Sequence, residues 1–150
     1  MRINFHFNET VARLPNRVKL KTFLNTMFEH AQLNLQEVHF IFCTDVYLLK
    51  VNRDFLQHND YTDIITFSLA EPGEPIIGEV YISIDRVKEN AKILNIPFQT
   101  ELHRIIFHGV LHLCGYKDKN PYDKRYMTEA EDRTLSNYFD SVPRETYRKM

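Results

Sequence analysis

The stretch from His108 to Asp118, HGVLHLCGYKD, constrains this chain more than any other, because it joins the end of an apolar helix, a helix stop and three candidate metal ligands. Pro97, Gln99 and Glu101 suit a helix start, and Leu102, Ile105, Ile106, Val110, Leu111 and Leu113 supply apolar surface over several turns. Such a helix is largely buried. His108 and His112 stand at i and i+4, one turn apart on one face, where two imidazoles reach a single cation. Gly115 then supplies the left-handed backbone that ends a helix, so the chain can turn back and present Asp118 to the same ion. Two histidines in an apolar helix are costly to desolvate without partners, and a metal is the simplest shared partner. The alternative is a pair of core histidines bonded to backbone carbonyls.

Metalloproteases use the same histidine spacing, with a glutamate after the first histidine as general base. That position is Gly109 here. Glycine takes no proton, so a metallopeptidase-like hydrolase would need its base from elsewhere. Two histidines and a carboxylate also form the facial triad of iron oxygenases, although here both histidines share one helix. Cys114 lies two residues past His112, about 200° around a helix. It should face away from the metal as a small buried hydrophobe.

The rest of the chain supplies a frame for that helix. Ile3 to Phe7 alternates as a half-buried strand does, Arg17 to Gln32 has helical apolar spacing, and Val38 to Phe42 is β-branched and aromatic. Asp45 is a plausible N-cap for a short helix through Leu48, Leu49 and Phe55. Ile64 to Leu69 and Ile76 to Ile84 read as two strands joined by the turn Glu71-Pro72-Gly73-Glu74. Asp85 can cap the next helix, which stops before Pro97, and a last helix begins near Lys124 or Thr128. Met127, Leu135, Tyr138 and Phe139 form its apolar side, with a frayed tail from Val142. The order β-α-β-α-β-β-α-α-α predicts an α+β fold: a single domain over residues 1–150, with a small mixed sheet of about four strands and about five helices. The metal site should sit at the end of a buried helix.

Composition narrows the class further. A chain of 150 residues with 43% hydrophobic residues, 11 Phe and 8 Tyr can build one substantial core. No apolar run reaches the length of a membrane span, MRINFHFNET lacks a signal-peptide core, and the two cysteines, Cys43 and Cys114, suit a reducing compartment. These features predict a cytoplasmic protein with no membrane partner. With 19 Lys and Arg against 20 Asp and Glu, bulk charge does not point to nucleic acid. A local basic group, Lys117, Lys119, Lys124 and Arg125, follows the ligand helix. Asp63 and Arg104, the latter one turn before His108, are candidates to orient a ligand or bind phosphate. For Arg104 the alternative is an ion pair with Glu101 or Glu131.

Two blocks of the sequence resemble the YbeY-type endoribonucleases, also described as rRNA maturation factors. His108, Gly109, Leu111, His112, Leu113, Gly115 and Tyr116 stand where that family's His-Gly-x-Leu-His-Leu-x-Gly-Tyr signature places them. Asn52 with Tyr61 to Ser68, and Gly78 to Ser83, resemble its second block. The family's third histidine falls on Asp118, a competent zinc ligand, and Lys117 replaces its usual aspartate. Many members carry an arginine implicated in RNA cleavage where this chain has Leu56; Arg53 lies about one helical turn earlier. The resemblance implies a zinc-dependent, single-strand endoribonuclease acting in rRNA maturation and ribosome quality control, with one zinc per chain and the small ribosomal subunit as partner. Its alternative is a ribosome-associated RNA-binding factor with a structural zinc and little cleavage.

Overall fold

The computed structural model describes residues 2–139, so the tail from Val142 lies outside the described residues. Among these the chain runs β1 (Ile3–Phe7), α1 (Arg17–His30), β2 (Leu35–Cys43), α2 (Asp45–Leu56), β3 (Ile64–Ser68), β4 (Ile76–Ser83), α3 (Ile84–Leu94), α4 (Phe98–Leu113) and α5 (Pro121–Tyr138). This is the predicted α+β order. The sheet order is β1-β2-β4-β3, with β1, β2 and β4 parallel and β3 antiparallel to β4. The antiparallel pair follows from the short turn through Pro72 and Gly73, whereas the parallel neighbours need the helical crossovers α1 and α2 between them.

Strand periodicity sorts the side chains onto two faces. Val38, Phe40 and Phe42 of β2 and Val80 and Ile82 of β4 are fully buried in one cluster with Leu20, Leu24 and Phe28 of α1 and Leu102, Ile106, Phe107 and Val110 of α4. On the opposite face, Cys43 and Ile65 pack with Leu48 and Val51 of α2. Helix α4 is therefore the central helix of the larger layer, packed against α3, α5 and strands β3 and β4. Gly109 makes that approach possible. A Cβ there would lie 2.8 Å from Val80 Cγ1 and 3.2 Å from Ile64 Cδ1.

The helix starts differ from the sequence reading in three places. Thr44, not Asp45, caps α2 by accepting from the Tyr47 amide, and Ser83, not Asp85, caps α3 by accepting from the Arg86 amide. The two aspartates instead tie the helix starts together. Asp85 Oδ2 accepts from the Asp45 amide at 2.8 Å, while the Asp45 carboxylate accepts from the Ser83 hydroxyl and from Arg86 Nε. Helix α5 starts at Pro121, ahead of both Lys124 and Thr128, because Asn120 caps it through the Asp123 amide and proline suits the first helical position.

Candidate metal centre

Helix α4 ends as its glycine predicts. Gly115 has φ +102°, its amide donates to the His112 carbonyl, and the Tyr116 amide reaches back to the Leu111 carbonyl, which together form a Schellman stop. Tyr116 then stacks on Tyr126 of α5 at 5.3 Å, which fastens the short loop carrying Asp118 between two helix ends. The loop delivers the carboxylate to the histidines.

His108 Nε2 lies 3.4 Å and His112 Nε2 3.3 Å from the same atom, Asp118 Oδ2. The three residues form a group able to hold a metal, with their donor atoms within 4.8 Å of one another. Those two contacts are long for N–H···O hydrogen bonds. They match the separation of about 3.3 Å between neighbouring ligands when each sits roughly 2.0–2.1 Å from a tetrahedral zinc. Two of the three donor separations therefore suit a zinc-like ion, and the third lies within 4.8 Å. His112 and Asp118 are each about one-third exposed, so an open coordination position would face the cleft.

Behind the ligands lies a network of buried charge. His108 Nδ1 is 2.6 Å from Glu131 Oε2, an arrangement in which Nδ1–H donates to the carboxylate and Nε2 is left as the ligand atom. Arg104 donates from Nη1 to Glu131 at 2.7 Å and from Nε and Nη2 to Glu101 at 2.8 and 2.6 Å. Burial opposes the Arg104 charge, but hydrogen bonds and Coulomb attraction from Glu101 and Glu131 more than offset it and hold its pKa above the ordinary value. Asn90 continues the chain, donating to Asp63 at 3.0 Å and to Glu101 at 3.4 Å. Asp63 is thereby connected through Asn90, Glu101, Arg104 and Glu131 to His108.

The ligands open into a cleft of about 520 Å³ between strand β3, helix α4 and helix α5. Asp63, Arg104, Lys124 and Glu131 line it beside the three donors. Of the other expected site residues, Lys117 is exposed and outside that lining. Arg53 is turned instead to Asn59, with Nε donating at 2.8 Å, and Leu56, 40% exposed, closes α2. Cys114 packs against the main core beside Phe23 and Met27, and burial pushes its thiol up to about 11. The remaining histidines fall outside the ligand group. His6 and His39 pair at 2.8 Å, while His103 is buried among Phe107, Tyr138 and Phe139 with Nδ1 on the Gln99 carbonyl.

Sequence reasoning named Glu131 only as a possible partner of Arg104 and missed its contact with His108. A usable signal was present. Met127, Glu131, Leu135 and Tyr138 recur at helical spacing, so Glu131 stands on the buried stripe of α5, where a carboxylate requires a partner.

Fold and site together define an α+β protein in which a buried helix, its glycine stop and the following loop assemble a donor group that could hold one metal ion. Comparison with known proteins narrows the class. The family described as Endoribonuclease YbeY matches residues 4–139, and the chain belongs to that family. It is 46% identical to an Endoribonuclease YbeY of Cytophaga hutchinsonii over 134 residues, covering 89% of this chain and 94% of that protein. A Flavobacterium johnsoniae protein of the same description is 39% identical over 136 residues, covering 91% of this chain and 96% of its own length. The solution structure of a Thermotoga maritima protein superposes with a TM-score of 0.56 at 25% identity and 95% coverage of both chains.

Proposed function

We propose that this chain is a metal-dependent endoribonuclease that cleaves single-stranded RNA, with His108, His112 and Asp118 as the ligands of one zinc ion. The convergence of both imidazole Nε2 atoms on one Asp118 oxygen, in a chain of the YbeY family, carries this reading. When bound, such an ion supplies Lewis acidity towards a phosphodiester and lowers the pKa of a coordinated water. The protein's own groups do the rest. Glu131 holds the His108 ring in its ligand orientation, and Lys124 places positive charge at the cleft wall for a phosphate. Arg104 is committed to two carboxylates, so its part is to hold Glu131 in place. Gly109 leaves no base at the position that a peptidase uses, and no room for one.

By the same proposal the substrates are ribosomal RNA or its precursors, the setting is rRNA maturation and ribosome quality control on the small subunit, and the location is the cytoplasm. Among the described residues, no helix is long and apolar enough to cross a membrane. The test is cleavage of a labelled single-stranded RNA by zinc-loaded protein beside His112→Ala. Cleavage by the wild type that the variant lacks supports the proposal; equal cleavage by both, or none by zinc-loaded wild type, overturns it.

Leu56 favours a second reading, an RNA-binding factor whose zinc is structural. Leucine offers a phosphate nothing, and Arg53 is turned towards Asn59. On that reading EDTA unfolds the protein, and the zinc-loaded protein binds RNA without cutting it.

A further inference from the structure

The edge of the sheet nearest the ligands is built unlike the opposite edge. Among the described residues, strand β3 pairs only with β4, in unbroken register from Ile64 to Ser68. The Asp63 carbonyl accepts from the Ser83 amide at 3.0 Å and the Leu69 amide donates to the Ile77 carbonyl at 2.7 Å, so the odd-numbered residues turn their backbone groups to β4. Antiparallel alternation then turns the N–H and C=O groups of Ile64, Thr66 and Ser68 to the free edge. Among the described residues the one contact to these groups is long, from Thr62 Oγ1 to the Ile64 carbonyl at 3.4 Å.

Proteins ordinarily guard such edges with charge, proline or a bulge. The run Ile64-Ile65-Thr66-Phe67-Ser68 has none of these. Ile3 to Phe7 of β1 carries no charge, proline or bulge either, but the Arg17 and Lys21 side chains of α1 sit over its Phe7 and Phe5 rings, 5.2 and 5.5 Å from their centres, and bring two cations to that strand. The unguarded edge is also the one whose residues Ile64, Thr66 and Ser68 line the cleft with His108, His112 and Asp118.

We propose that the free edge of β3 docks an extended peptide segment, which adds to the sheet as a fifth strand along the cleft. A polypeptide is the ligand that presents donors and acceptors alternately at strand spacing, about 4.8 Å from its neighbour. Phosphates supply acceptors alone; donors for the outward carbonyls of Thr66 and Ser68 would have to come from the ribose hydroxyls or bases of an RNA, and the oligouridylate arm of the test separates that occupant from a peptide. This docking uses backbone groups of β3 and no metal ligand, so its test does not depend on RNA cleavage, although the peptide would lie in the cleft proposed for RNA.

The test is amide hydrogen exchange, followed by NMR, on the wild-type protein with and without the peptide acetyl-Val-Thr-Val-Thr-Val-amide. In the free protein the amides of Ile65, Phe67 and Leu69 exchange slowly and those of Ile64, Thr66 and Ser68 fast; the peptide slows the second set about tenfold or more. Thr66→Pro removes an outward N–H that the ladder does not use, and proline is tolerated at such an edge position. It should weaken the peptide about tenfold, as loss of one hydrogen bond does, while slow exchange at Ile65 and Phe67 shows an intact sheet. Ser68→Pro repeats the test should Thr66→Pro fail to fold. Unslowed exchange with the peptide, unchanged affinity in the folded proline variant, or protection by an oligouridylate in place of the peptide would each overturn the proposal. So would protection in the free protein that grows with its concentration, since a second copy would then be the occupant.

Discussion

In the first half of α4, Glu101 and Arg104 are drawn into the core yet closed on one another and on Glu131, with every charged oxygen of the two glutamates bonded at 2.6 to 2.8 Å. In the second half, His108, His112 and Asp118 meet at 3.3 to 3.4 Å, too far for good hydrogen bonds, with two of the three about one-third exposed. The helix thus borders one polar cluster whose charges are met within the protein and another, shared with Asp118 of the following loop, whose donors stand apart at a spacing that could hold a metal. The difference teaches where stability and where binding reside. Buried charges that close on each other fix the fold, and donors left apart at ligand spacing hold a site open.

The largest expected effect comes from breaking the closed half. Arg104→Ala strands two buried carboxylates and should cost about 3–5 kcal/mol in urea unfolding. A loss under about 1 kcal/mol would mean that water already satisfies Glu101 and Glu131. Next comes the joint between the halves. Glu131→Gln keeps the shape but weakens the hold on His108 Nδ1–H, and zinc affinity measured against a chelating dye should fall about 10- to 100-fold.

A smaller effect, at the buried His103 beside that cluster on α4, is read by pH. Burial lowers the His103 pKa below its ordinary value, so the unfolded chain binds more protons than the folded one as pH falls through about 6.5. Stability should decline on acidification from pH 7 to pH 5, and His103→Phe should show a shallower decline in thermal melts. A decline of equal slope in the variant would move the effect to other groups. The smallest change is expected in the open half without metal. His112→Ala should abolish zinc binding, yet shift the stability of the metal-free protein by less than about 1 kcal/mol, because a partly exposed imidazole contributes little to the core.

Much of this comparison could be read from the chain. The apolar periodicity from Leu102 to Leu113, the i, i+4 histidines and the glycine stop are local patterns, and each appears where predicted because α4 is both locally helical and central to the core. Asp118 follows from them, since the stop returns the chain to the helix end. Glu131 was harder because its contact with His108 spans 23 residues and two helices, and only the buried stripe of α5 points to it. The cap positions failed for another reason. Thr44 and Asp45, and Ser83 with nearby Asp85, are all residue types that cap helices, and the choice between them is made by contacts across the two helix starts. Arg53 had the right charge for a phosphate, but its direction depends on how the chain turns after α2, where Asn59 receives it.

Gly109 has a consequence for how this scaffold can change. Its Cβ position is crowded by Val80 Cγ1 and Ile64 Cδ1, so even alanine there requires those side chains or the helix to shift, at a cost of roughly 1–3 kcal/mol. A larger side chain at that point needs smaller neighbours at Val80 and Ile64, so the close seat of the helix ties the residue at position 109 to those at two strand positions.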